Sequence, residues 1–112
     1  MSYNIHYVHN FKRSLKRLAK KYKSIKDDLF NLSESIRINP LQGDELIPGV
    51  RKIRMTITSK GRGKSGGARV ITYNILLKEQ EGDIYFIDIY DKSEYTTVDE
   101  SILKSIIAEL NL

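Results

Sequence analysis

The spacing of apolar residues changes once along this chain, next to Asn39-Pro40, and that change restricts the fold to one joining a helical part to a strand part. Before it, Phe11, Leu15, Leu18, Ala19 and Tyr22 recur at helical spacing, and so do Ile25, Leu29, Leu32 and Ile36. After it, Ile53, Met55 and Ile57 alternate with Lys52, Arg54, Thr56 and Thr58, the period of a strand. Proline disfavours helical geometry in the residue before it, so the second helix is expected to stop near Asn39.

The remaining segments follow from the same signals. YNIHYVH (3–9) alternates imperfectly and reads as a strand, with Asn10 as the expected N-cap of the first helix. Asp27 and Asp28 fall in the first turns of the second helix, where the helix dipole favours them. LQGDELIPGV (41–50) reads as loop up to Gly49, and KEQEGD (78–83) reads as a turn. VRKIRMTIT (50–58), ARVITYNILL (68–77) and IYFIDIY (84–90) read as strands, the last so apolar that it suits a sheet interior. Asp99 to Leu110 closes with an amphipathic helix carrying Ile102, Leu103, Ile106, Ile107 and Leu110. The expected order is β-α-α-β-β-β-α in a single α+β domain spanning 1–112. An N-terminal strand and a helical hairpin pack on a small, mainly antiparallel sheet, followed by the C-terminal helix.

Charge is distributed in blocks. Residues 12–26 carry eight Lys/Arg and no acid: Lys12, Arg13, Lys16, Arg17, Lys20, Lys21, Lys23 and Lys26. Residues 50–69 carry seven more, again with no acid: Arg51, Lys52, Arg54, Lys60, Arg62, Lys64 and Arg69. With a net charge of +5 arranged in this way, a polyanion or an acidic partner is expected. A solvated helix face and a lysine-rich turn form the plain alternative.

Other classes are disfavoured. The chain has no cysteine, which removes disulfides and thiolate metal sites, and only His6 and His9 offer imidazole. No metal or cofactor is expected. No apolar run approaches the roughly 18 residues of a membrane span, and the N-terminus lacks a signal-peptide pattern, so a cytoplasmic protein is expected.

The segment GRGKSGGAR (61–69) holds four of the seven glycines and satisfies G-x-G-x-x-G. That fingerprint binds a dinucleotide only when its glycines open a helix, and here a strand pattern follows. A P-loop would need a glycine where Thr58 stands. A basic hairpin loop between two strands fits better, its cations free to reach a phosphate backbone. Neither a catalytic triad nor a carboxylate pair is evident. The chemistry-bearing set is Lys52 and Arg54 on one strand face, Arg69 opening the next strand, and Tyr90 and Lys92 at the end of IYFIDIY. Such a set can cleave RNA without histidine. Crowded cations lower a lysine's pKa, a lysine or tyrosinate can serve as base, and arginine matches the charge of the phosphorane. Core packing is the alternative role for Tyr90.

FKRSLKRLAKKYKSIKDDL, GVRKIRM, KGRGKSGGARVITY and IYDKSE together resemble the RelE/ParE toxin superfamily, closest to its HigB-like and RelE-like branches. The resemblance covers about residues 3 to 107. It implies the toxin of a bacterial type II toxin–antitoxin pair that cuts messenger RNA in the ribosomal A site without metal. It also implies an acidic antitoxin as partner, with operator DNA reached only through the toxin–antitoxin complex. By position, the family's basic pair falls on Lys52 and Arg54, its strand-opening arginine on Arg69, and its basic residue beyond the last strand on Lys92. The family's C-terminal tyrosine has no counterpart: Val98 stands there, with Tyr90 and Tyr95 nearby. The histidine of some relatives is also absent. Lys12, Arg13, Lys16, Lys20, Lys60, Arg62 and Lys64 are the expected contacts to RNA or ribosome. A ParE-like inhibitor of DNA gyrase that acts by binding, and a non-catalytic nucleic-acid-binding module, are the alternative readings.

Overall fold

The computed structural model describes residues 3–61, 66–94 and 98–112. Along the chain these form β1 (Asn4–Tyr7), α1 (His9–Lys21), α2 (Ile25–Ile38), β2 (Asp44–Ile47), β3 (Val50–Met55), a 3-10 turn (Thr58–Lys60), β4 (Ala68–Lys78), β5 (Glu81–Asp91) and α3 (Glu100–Glu109). The fold is α+β. Its strands make one sheet in the order β1-β5-β4-β3-β2, antiparallel throughout except for the parallel pair β1 and β5.

Each face of the sheet has its own core. The helical hairpin α1/α2 covers one face: Phe11, Leu18, Ile25 and Ile36 pack against Ile53, Val70, Ile84, Phe86 and Ile89. Phe11 meets Phe86 edge to face, with centroids 5.5 Å apart, so each ring adds a specific contact to the area it buries. On the other face, α3 sets Leu103 with Val50, Ile71 and Ile87, and Ile106 and Ile107 pack alongside. This two-sided cover explains the near-continuous apolar run of β5, where Ile84, Phe86, Ile87 and Ile89 are all fully buried.

Four elements differ from the sequence reading. Residues 41–49 are not all loop: β2 pairs antiparallel with β3 as an edge strand. Gly43 makes this approach possible at φ +76°, where an added Cβ would lie 2.1 Å from the Lys52 carbonyl oxygen. The turn after β4 shrinks to Glu79 and Gln80, because pairing continues out to Lys78 and Glu81. Third, β3 ends at Met55, and Ile57 turns into the core before the 3-10 turn. Asp28 holds that turn by accepting from the Thr58 backbone N–H (2.9 Å) and the Thr58 hydroxyl. Finally, Asn10 does not cap α1. Val8 occupies the N-cap without a side-chain bond, and the Asn10 amide donates to the Ile87 carbonyl at 2.8 Å. That bond satisfies β5 just where β1 has ended.

Candidate functional site

Strand register brings most of the expected chemistry onto one face. Arg54 on β3 lies directly opposite Arg69 on β4, and Arg69 lies directly opposite Tyr90 on β5. Directly opposed residues share a face, so these three form a row across three strands. Lys52 joins the same face two residues before Arg54, opposite Ile71. The row therefore runs from an exposed guanidinium to a buried one and then to a buried phenol: Arg54 is exposed, while Arg69 and Tyr90 are each only 4% exposed. Lys52 is half-buried.

The electrostatics of the row follow from that burial. Desolvation lowers the pKa of Arg69, the neighbouring Arg54 lowers it further, and Tyr90 works in the opposite direction. Arg69 donates to the Ala68 carbonyl at 3.1 Å, which helps to fix its fork on the sheet surface. Burial raises the pKa of Tyr90, Arg69 opposes this, and Asp88 adds to it. Tyr90 is therefore a neutral phenol at physiological pH, suited to donating a proton and poorly suited to the tyrosinate role. Two guanidinium groups held side by side form a site whose cost falls when an oxyanion arrives.

Lys92, just beyond β5, is half-buried at the same end of the strand. Its backbone N–H donates to the Gly67 carbonyl at 3.0 Å, tying it to the segment that enters β4. Arg62, Lys64 and Tyr95 lie outside the described residues.

Lys60 takes a different place from the one expected of a loop cation. Its ammonium lies 2.7 Å from Asp91, with the side chain only 14% exposed, and sits over the Tyr22 ring. Asp91 is fully buried on the hairpin side of the sheet, opposite Ala68. Burial alone would raise its carboxyl. Hydrogen bonds from Lys60, Tyr22 and Ser93 outweigh that and hold it well below the usual carboxylate range. Lys60 thus ties the 3-10 turn to the end of β5.

The α1 cations also stand apart. Lys12, Arg13, Lys16 and Lys20 are exposed on the helix layer, which covers the face opposite the Arg54–Arg69–Tyr90 row. Among the described residues, cations thus stand on both sides of the sheet. His6 hydrogen-bonds Asp83 at 2.7 Å and stacks on Tyr85.

One feature escaped sequence reasoning. Beyond the end of β1, the edge of β5 opens into a cavity of about 280 Å³ lined by Ser14, Arg17, Asp88, Tyr90, Val98 and Ile102. Desolvation raises the Asp88 carboxyl, and hydrogen bonds from Ser14 and Ile89 and the charges of Arg17 and Arg13 counter it. The only signal was one acid inside IYFIDIY. No family model matches the chain, so the likeness to RelE/ParE toxins rests on the residues quoted for it.

Proposed function

We propose that this chain is the toxin of a type II toxin–antitoxin pair and acts as a ribosome-dependent, metal-independent mRNA endonuclease in the cytoplasm. The observation that carries the reading is the register-aligned row Arg54–Arg69–Tyr90, with Lys52 beside it. Arg54 and Arg69 bind the scissile phosphate and stabilise the charge that develops on its oxygens. The 2′-hydroxyl loses its proton to solvent water as its oxygen attacks phosphorus, and Lys52 donates a hydrogen bond to the attacking oxygen. The P–O5′ bond breaks, leaving a 2′,3′-cyclic phosphate, and Tyr90, a neutral phenol, gives its proton to the leaving oxygen. Lys92 stands at the end of the row as an outer phosphate contact. In this reading the partners are messenger RNA, the ribosome and an acidic antitoxin, and operator DNA is met only through the toxin–antitoxin complex.

Inducing the chain in bacteria while following translation, transcript integrity and DNA supercoiling separately tests the proposal. Loss of translation with cut transcripts is expected, and Arg69→Met should remove both. Intact transcripts with relaxed or broken DNA would transfer the protein to the gyrase-inhibitor class. Unimpaired growth would leave a non-catalytic nucleic-acid-binding module.

A further inference from the structure

Several parts of the chain meet at one carboxylate where β5 ends. Pairing with β1 stops at Tyr7 and Phe86, so among the described residues the last stretch of β5 is paired through β4 alone. Asp91 anchors that stretch from the hairpin face instead. Its carboxylate accepts from the Lys60 ammonium at 2.7 Å, from the Tyr22 hydroxyl, and from the Ser93 hydroxyl and backbone N–H at 2.8 and 2.9 Å. These donors belong to the 3-10 turn, to the C-cap of α1 and to the residues just after β5. The Asp91 carbonyl accepts from the Glu94 N–H at 2.9 Å, and the Lys92 N–H donates to the Gly67 carbonyl at 3.0 Å. Tyr90 and Lys92 therefore flank, in sequence, the residue that fixes the strand end.

We infer that Lys60 is a positioning residue: through Asp91 it holds the end of β5 so that Tyr90 and Lys92 keep their places beside Arg69. The inference rests on the reading of the Arg54–Arg69–Tyr90 row as the cleavage site, and it removes Lys60 from the expected contacts to RNA. The ammonium stands on the wrong side of the sheet for such a contact. It bonds Asp91 on the hairpin face, whereas Tyr90 belongs to the core on the α3 face, directly opposite Arg69. It is also enclosed, only 14% exposed and 5.5 Å from the centre of the Tyr22 ring. Reaching out to a phosphate would leave the fully buried Asp91 carboxylate without its counter-charge, a larger loss than an exposed ion contact returns. Proton donation by Tyr90 makes the opposite demand. The phenol must lie within hydrogen-bond reach of the leaving oxygen, and a shift of about 1 Å costs on the order of a hundredfold in rate. A strand end paired on one side opens readily unless another contact fixes it. The Lys60–Asp91 pair is that contact, so its effect falls on the chemical step rather than on affinity.

The test uses the full chain and ribosomes carrying a defined messenger RNA. Single-turnover cleavage is followed against chain concentration at several salt concentrations, which separates the rate at saturation from affinity, and circular dichroism checks the fold of each variant. Lys60→Met should lower the saturating rate about tenfold or more, with the half-saturating concentration within about twofold of wild type and its salt dependence unchanged. Lys60→Arg, which keeps a cation for Asp91, should restore the rate to within about threefold of wild type. If Lys60 contacts RNA instead, Lys60→Met weakens binding, reduces the salt slope by about one and leaves the saturating rate alone, and the inference is overturned. Tyr22→Phe takes the place of Lys60→Met should that variant not fold. It removes one bond to Asp91 and leaves the ion pair, so the saturating rate should fall about threefold at unchanged affinity, and a wild-type rate overturns the inference. A wild-type chain that leaves the transcript intact removes the cleavage reading and the inference with it. A wild type that cuts, beside a folded Lys60→Met that cuts equally well, removes the inference alone.

Discussion

Arg69 and Asp91 sit one position apart in strand pairing, on opposite faces, and show two ways of burying a charge. Arg69 is buried beside Arg54, and its burial and that neighbour both lower its pKa. Replacing it with an apolar side chain of similar length keeps most of the buried volume and should leave the protein folded, at a cost of no more than about 3 kcal/mol. Cleavage should fall by about a hundredfold or more, the scale of losing a preorganised charge at the reacting phosphate. Urea unfolding and transcript cleavage measured on Arg69→Met check both halves. Asp91 shows the reverse case, its carboxylate held by Lys60, Tyr22 and Ser93. Asp91→Asn leaves a buried ammonium without its counter-charge and should cost about 3 kcal/mol at neutral pH. The sign of the pH dependence follows from the depressed carboxyl. Its contribution is complete above the unfolded value of about 3.9 and is lost only as pH falls toward the folded value. Urea midpoints of wild type and Asp91→Asn should therefore differ by a constant amount from pH 7 down to about 5 and converge in stronger acid.

At the scale of elements, the sequence carried the two helices of the hairpin, α3 and the three long strands, because their apolar periods are set by the core each one meets. It did not carry β2. Its residues are mostly exposed, and its strand geometry comes from pairing with β3 rather than from any pattern of its own. The face shared by Lys52 and Arg54 was readable from period two. The alignment of Arg54, Arg69 and Tyr90 was not, because it depends on pairing order and on the register shift at Ile71/Thr72. Lys60 was misleading for a similar reason: its partner Asp91 is distant in sequence and adjacent only after folding. Gly43 provides a test of how β2 supports the site. Gly43 and Gly61 both have left-handed φ, but an added Cβ meets the Lys52 carbonyl at Gly43 and nothing within 4 Å at Gly61. Gly43→Ala should cost about 3 kcal/mol and displace Lys52, while Gly61→Ala should cost about 1 kcal/mol. Urea unfolding of the two variants side by side measures the difference, and cleavage should fall only in Gly43→Ala.

At the scale of the whole molecule, the sheet lies between two groups of cations among the described residues. Arg54, Arg69 and Lys52 share one face; Lys12, Lys16 and Lys20 stand on the helices over the other. The two groups should therefore be separable by mutation. Lys16→Glu/Lys20→Glu should weaken affinity for RNA or ribosome while leaving the cleavage rate of the bound complex within about twofold, and Arg54→Ala should lower that rate far more than it lowers affinity, since distant sites act independently. Cleavage and anisotropy assays on both variants decide this. The parallel pairing of β1 with β5 also bears on how the chain comes into being. Asn4 to Tyr7 find their partners only at Asp83 to Phe86, and α1 packs on the same late strand. During synthesis at about 5–20 residues per second, the opening segment waits several seconds before its partner strand emerges. Arg54 and Arg69 likewise stand without Tyr90 until the end of β5 has been made. The row across β3, β4 and β5 therefore forms late, whereas the hairpin α1/α2, being local in sequence, can form as soon as it has been made.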